Sequence, residues 1–167
     1  MLTIVKNKRF SWFMSILFYF IGMGFSISIF GILQLDFGTL IDNENLKDWH
    51  VIFMHNYRIN LLIISGGILL CIPTALILLI NGFVSGFHII HSIHANSFLA
   101  LIERVAPHGI FEVPSTIISG ALAFQLTVMI YRKLFLKTPI NKTVYIRYFY
   151  LFLLMTALTL IGALIEA

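Results

Sequence analysis

The feature that most constrains this chain is the length of its uninterrupted apolar runs. A helix that crosses the roughly 30 Å hydrocarbon layer of a bilayer needs about 20 residues. Four runs meet this length easily, and they cover residues 10–35, 59–80, 110–131 and 145–165. Only 11% of the 167 residues are charged, whereas a soluble domain carries about 25%. The sequence therefore predicts a multi-pass membrane protein with a single all-α domain, a transmembrane helix bundle covering residues 1–167.

A fifth run, residues 83–102, is long enough to cross although it contains three histidines. The basic residues cluster in the N-terminal tail and in residues 132–147, and the positive-inside rule places both clusters in the cytoplasm. They share a side if four crossings separate them, but not if three do. We therefore predict five transmembrane helices with the N-terminus inside and the C-terminus outside. A pair of re-entrant half-helices at residues 83–102 is the alternative.

The net charge of +4 does not predict a nucleic-acid partner, because the basic residues lie in loops between apolar runs. Their placement is explained by orientation in a lipid membrane. The run that follows the N-terminal tail is too long for a signal peptide, so we interpret it as a retained helix.

Two local features predict how the second helix behaves. Asn81-Gly82 lies between the second and third runs, and both residue types tolerate positive φ, so we expect a tight reversal there. Pro73 removes a hydrogen-bond donor within the second run and is expected to kink that helix. With this reversal, the third helix starts near the inner side.

The third run presents His88, His91 and His94 on one broad helix face. Such a face is typical of a polar surface packed inward, with neutral, hydrogen-bonded imidazoles. A metal site or a proton path is the alternative, although helical metal ligands are usually four residues apart. Along a continuous helix of twenty residues, we expect His88 to lie about 30 Å from His108.

The second polar feature is His108 and Glu112, which share one face of the fourth helix because they are four residues apart. The pair could chelate a divalent ion or form a hydrogen bond near the positive end of the helix dipole. In the five-span topology, the outer ends of helices two, three and four collect most of the remaining polar residues. These are His50, His55, Asn56, Arg58, Asn60, Glu103, Arg104, His108 and Glu112.

These residues carry a family resemblance. His55-Asn56 opens an apolar helix that Asn81-Gly82 follows, and the segment 107–114, Pro-His-Gly-Ile-Phe-Glu-Val-Pro, precedes a helix rich in small residues. The pattern resembles the stage II sporulation protein M family over residues 52–125, and the five-helix layout agrees over the whole chain. The motif falls on Asn56, Asn81, Gly82, Pro107, His108, Gly109 and Glu112. His55 and the three histidines of the third helix depart from it.

The resemblance implies a protein of the bacterial cytoplasmic membrane that works with partner proteins. Founding members act with peptidoglycan-degrading partners during sporulation, and similar short proteins accompany circular bacteriocin gene clusters. We therefore expect a scaffold or accessory factor that binds protein partners or a homo-oligomer, or that assists maturation or export of a hydrophobic peptide.

Two other functions remain open at this stage. In a zinc-dependent membrane peptidase, His55, His108 and Glu112 would hold the ion and Glu103 would act as the base. In a proton- or ion-conducting subunit, the histidines of the third helix would line the path, and the chain would need to oligomerise.

Overall fold

The computed structural model describes residues 8–33, 48–94 and 108–167. Within these ranges the regular elements are all helical, which confirms the all-α class for the part of the chain described. A 3-10 turn, Gly66–Leu69, follows the second helix, and a π-helical turn, His108–Glu112, leads into the fourth. The helices are α1 (Lys8–Leu33), α2 (Trp49–Ser65), α3 (Ile72–His94), α4 (Val113–Leu134) and α5 (Lys142–Glu166).

Four of the described helices are long and apolar enough to cross a membrane. The qualifying segments are Arg9–Ile32, Ile72–Ile93, Gly109–Leu134 and Lys142–Glu166. The remaining helix, α2, has 17 residues, and at about 1.5 Å per residue it is about 25 Å long. The chain is therefore a helical membrane protein, and its described residues contain four candidate spans and one shorter helix.

α1 and α3 lie side by side and run in the same direction. Gly82 packs on Tyr19 and Gly86 packs on Ser26, so the contacts advance along both helices together. The approach is close, because a Cβ at Gly82 would collide with the carbonyl oxygen of Tyr19. The hydroxyls of Tyr19 and Ser85 hydrogen-bond at 2.6 Å. Small residues permit this kind of backbone contact between membrane helices.

α2, α4 and α5 form the other group of helices. α2 runs in the same direction as α4, since Asn60 hydrogen-bonds Ser115 and, further along, Gly67 packs on Ala123. α5 runs in the opposite direction: its Gly162 lies against the π-helical turn that begins the fourth helix. The apolar core of the group consists of Ile118, Leu122 and Met155, and the last two are completely buried.

These directions give the bundle two chemically different ends. We call one the basic end; Arg9, Arg132, Lys133 and Lys142 lie there, where α1 and α5 begin and α4 finishes. We call the other the polar end, where α2 and the π-helical turn begin and α1, α3 and α5 finish.

The predicted second span, residues 59–80, is not one helix. The chain reverses between α2 and α3, where Leu70 and Cys71 adopt left-handed φ angles of 55° and 63°. Pro73 consequently lies in the first turn of α3, where a missing N–H leaves no hydrogen bond unmade. The predicted kink at Pro73 is therefore wrong, because the helix already ends before the proline.

The tight reversal predicted at Asn81-Gly82 is also wrong. Both residues lie inside α3, and the Asn81 Nδ2 donates to the Ile77 carbonyl at 2.9 Å within that helix. No glycine in the described ranges has positive φ. Gly82 serves the close approach to α1, a role that a sequence pattern does not distinguish from a turn.

This packing generates a prediction for Gly82→Ala. The added methyl has to displace the Tyr19 carbonyl, and overpacking of this kind costs about 1–3 kcal/mol. We expect the free energy of unfolding, measured by SDS titration in mixed micelles, to fall by that amount. Gly24→Ala is the matched control on α1, since a Cβ there meets no atom within 4 Å. Equal effects of the two substitutions would contradict the proposed contact.

Candidate functional site

The candidate site is built around Glu112, a carboxylate that is only 6% exposed in an apolar bundle. Glu112 ends the π-helical turn that precedes α4. Pro114 follows two residues later and has no N–H to donate, so the regular hydrogen-bond ladder is interrupted at this point. Single π-helical turns of this kind are frequent at functional sites.

Glu112 lies between two other helices. The Asn56 Nδ2 of α2 donates a hydrogen bond to its Oε1. On the side of α5, a Cβ at Gly162 would come within 3.3 Å of the Glu112 Cγ and 3.2 Å of the Phe111 Cβ. Gly162 therefore allows α5 to close over the carboxylate, and the contact joins α2, α4 and α5 at the polar end.

A second polar layer lies one turn further into the bundle. The Asn60 Nδ2 donates to Thr159 Oγ1 at 3.0 Å and to Ser115 Oγ at 3.4 Å. Both hydroxyls give their own protons to backbone carbonyls, that of Thr159 to Met155 at 2.9 Å and that of Ser115 to Glu112 at 2.8 Å. They can therefore only accept from Asn60, which fixes the orientation of its amide.

Asn60 Oδ1 is left without a hydrogen-bond partner in the structure. Asn60 is only 1% exposed, and an unpaired buried acceptor costs about 1–3 kcal/mol. Native proteins keep few such groups, and each one asks for a physical explanation. We call the two layers, Asn56–Glu112–Gly162 and Asn60–Ser115–Thr159, the polar clasp.

α1 also approaches the polar clasp. The side chain of Tyr19 is close enough to Glu112 for an electrostatic interaction, and its hydroxyl is paired with Ser85 of α3. Ser15, one turn before Tyr19, donates to the Ile117 carbonyl of α4 at 2.7 Å. Polar contacts therefore connect both groups of helices beside the carboxylate.

The structure brings together only some of the residues predicted from sequence. Asn56 and Glu112 meet, whereas the side chain of His55 is exposed. Asn81 and Gly82 lie on α3 and serve its internal hydrogen bonding and its packing. A Cβ at Gly109 would meet no atom within 4 Å. Glu103, Pro107 and the side chain of His108 lie outside what the structure describes.

The histidines of α3 are not near the basic end as predicted. α3 finishes at the polar end, so His88, His91 and His94 lie at the same end of the bundle as His108. The separation of about 30 Å expected between His88 and His108 assumed a continuous helix of twenty residues that follows a reversal at residues 81–82. The chain instead reverses at residues 66–71, so that assumption is wrong. His88 is exposed and His91 is partly exposed, and both rings contact the ring of Phe87.

Among the described residues, no group of three or more His, Cys, Asp or Glu side chains could hold a metal ion. Two members of the predicted zinc site, Glu103 and the His108 imidazole, fall outside the described side chains. The zinc site therefore stays a prediction.

Sequence reasoning missed Ser115, Thr159 and Gly162. The only signal for α5 is that Thr159 and Gly162 are three residues apart and therefore share a helix face. Small polar residues are common in membrane helices, so this spacing does not reveal which helix they meet. The partners of Asn60 become visible only in the folded bundle.

The polar clasp generates a prediction for Asn56→Leu. The substitution removes one donor to a buried carboxylate, and such a loss costs about 1–3 kcal/mol. We expect the SDS-titrated free energy of unfolding to fall by that amount. His55→Leu is the matched control because the neighbouring side chain is exposed; its effect should stay within about 0.5 kcal/mol. A larger loss from His55→Leu would contradict the assignment.

Comparison with known proteins agrees with the sequence pattern. No curated protein and no solved structure matches the chain. The model of the family described as Stage II sporulation protein M matches residues 11–167. This range contains all five helices except the start of α1, together with every residue of the polar clasp. The chain therefore belongs to the stage II sporulation protein M family.

Proposed function

We propose that this protein is a non-catalytic scaffold or accessory factor of the bacterial cytoplasmic membrane. It has five helices in the membrane with its N-terminus inside, and it assists partner proteins or the maturation or export of a hydrophobic, bacteriocin-like peptide. The polar clasp holds α2, α4 and α5 in one arrangement, so that the surface around them is presented in a fixed shape.

The observation that carries this proposal is the enclosure of Glu112. Its carboxylate accepts from Asn56 and is covered by α5 at Gly162, which leaves it 6% exposed. A carboxylate acting as a general base has to come within hydrogen-bond reach of a substrate or of water. A carboxylate buried against an amide donor instead favours a structural role, in which it fixes the contact of three helices.

The five-helix layout with the N-terminus inside is supported by the directions of the helices. Consecutive helices alternate, since α1, α3 and α5 finish at the end where α2 and α4 begin. The basic residues of α1 and those around residues 132–142 then lie at one end of the bundle, in agreement with the positive-inside rule. The 3-10 turn Gly66–Leu69 extends α2 toward the basic end.

Large side chains on α1 and α5 provide surfaces for partners within the membrane. Phe13 and Phe25 are 59% and 61% exposed on α1, and Phe149 and Tyr150 are 59% and 67% exposed on α5. Such side chains suit lipid, a partner helix or a hydrophobic peptide. Similar short proteins accompany circular bacteriocin gene clusters, which favours a hydrophobic peptide as the molecule that this protein assists.

Glu112→Gln separates the scaffold from an enzyme. The glutamine oxygen can still accept from Asn56, so the clasp persists while the negative charge is lost. In the native host, we expect Glu112→Gln to retain activity, scored as recovered partner complex or mature peptide. Asn56→Leu should reduce that activity, because it opens the clasp.

The control is His55→Leu, which alters an exposed neighbour on α2. Membrane level and melting temperature are measured for every variant. If Glu112→Gln abolishes activity as fully as gene deletion while level and melting temperature are unchanged, the carboxylate is chemically required. That result would overturn the scaffold and favour the metal-dependent peptidase.

A further inference from the structure

The reversal between α2 and α3 has an unusual surface for a turn at the end of a bundle. Its large side chains are aliphatic and exposed: Ile68 63%, Leu69 63%, Leu70 75% and Ile72 65%. The sequence contains no Asp, Glu, Lys or Arg between Arg58 and Glu103. Turns that reach cytoplasmic water in membrane proteins usually carry Lys or Arg, and this one carries neither.

Several backbone groups of the reversal are paired with other groups of the protein. Thr74 Oγ1 donates to the Ile63 carbonyl at 2.7 Å, and Thr127 Oγ1 of α4 donates to the Gly67 carbonyl at 2.5 Å. The Cys71 N–H donates to the Gly66 carbonyl at 3.0 Å. The last carbonyls of a helix are left open by its own ladder. At a turn in water, solvent can donate hydrogen bonds to these carbonyls, whereas in hydrocarbon the protein has to supply every donor.

The depth of the reversal follows from its contact with α4. Cys71 Sγ lies 2.8 Å from Thr127 Oγ1. Arg132 comes five residues after Thr127 on the same helix, which places it about 7 Å closer to the basic end. Cys71 therefore lies about one and a half helical turns short of the level where α4 carries its first charge.

We infer that the α2–α3 hairpin turns inside the membrane, with residues 68–72 in contact with the acyl chains of the leaflet at the basic end. Three observations favour lipid as the partner of this surface. Its side chains are aliphatic, side chains of the protein donate to its open carbonyls, and its contact with Thr127 lies on the bilayer side of Arg132. The hairpin enters and leaves at the polar end, and its tip interacts with lipid rather than with water. This inference is independent of the proposed scaffold function.

Spin-label accessibility tests the inference directly. A nitroxide is attached at Leu69→Cys, in a Cys71→Ser background that keeps a hydroxyl beside Thr127, and the protein is reconstituted into phosphatidylcholine–phosphatidylglycerol vesicles. Power saturation then measures collisions with oxygen, which concentrates in lipid, and with the water-soluble nickel complex NiEDDA. We expect high oxygen and low NiEDDA accessibility at this position.

Two reference positions calibrate the measurement. Pro139→Cys labels the exposed connection between α4 and α5, where NiEDDA collisions should be several-fold more frequent than at position 69. Leu154→Cys labels an exposed position within α5 and reports a lipid-facing site. Because Leu70 has a left-handed backbone, Ile68→Cys is the second tip variant. Gel-filtration elution matching the unlabelled protein confirms that each variant is folded.

Each outcome either supports or overturns the inferred contact of the hairpin tip with lipid. A tip label that resembles position 154 supports the inference. NiEDDA accessibility equal to that at position 139 would show that the tip reaches water, and would overturn it. Low accessibility to both reagents would show that a second copy or another protein covers the tip. That outcome would overturn the assignment of lipid as the occupant.

Discussion

Hydrocarbon supplies no hydrogen bonds, so the polar groups inside this bundle depend on partners within the protein. The hydrogen bond from Asn56 to Glu112 is the main example, because it pairs a buried carboxylate with a donor from another helix. It joins a short helix to the start of α4, and Gly162 lets α5 pack over the pair. One helical turn further into the bundle, Asn60, Ser115 and Thr159 form the second polar layer. A buried carboxylate and its amide donor therefore lie where these three helices meet.

The sequence predicts the class of the fold well, because long apolar runs have few alternatives to membrane helices. It also predicts that Asn56 and Glu112 are important, since they stand in the family motif. The ends of the second and third helices were not predicted. A prediction from the length of the apolar run alone treats residues 59–80 as one span. Gly66-Gly67 and then Pro73 are nevertheless typical of the end of one helix and the start of another. A tight apolar reversal gives no change in hydropathy, so a hydropathy window passes over it.

The same error explains the wrong position of the histidines. Asn-Gly favours a turn because both residues tolerate positive φ, yet Gly82 also fits where two backbones touch. The chain uses it for the second purpose, against Tyr19. Local sequence does not separate these roles, since the difference lies in a helix about sixty positions earlier. His88 and His91 therefore lie at the polar end of the bundle, whereas a reversal at residues 81–82 would place them near the basic end.

The parallel contact of α1 with α3 has a consequence for biosynthesis. α1 enters the bilayer first, but Ser85, the partner of its Tyr19 hydroxyl, belongs to the third helix to emerge from the ribosome. The acceptor of the Ser15 hydroxyl, the Ile117 carbonyl, lies in the fourth helix and is synthesised later still. The first helix thus resides in lipid with polar side chains that only later segments can engage. Its final position is set after insertion, when α3 and α4 arrive.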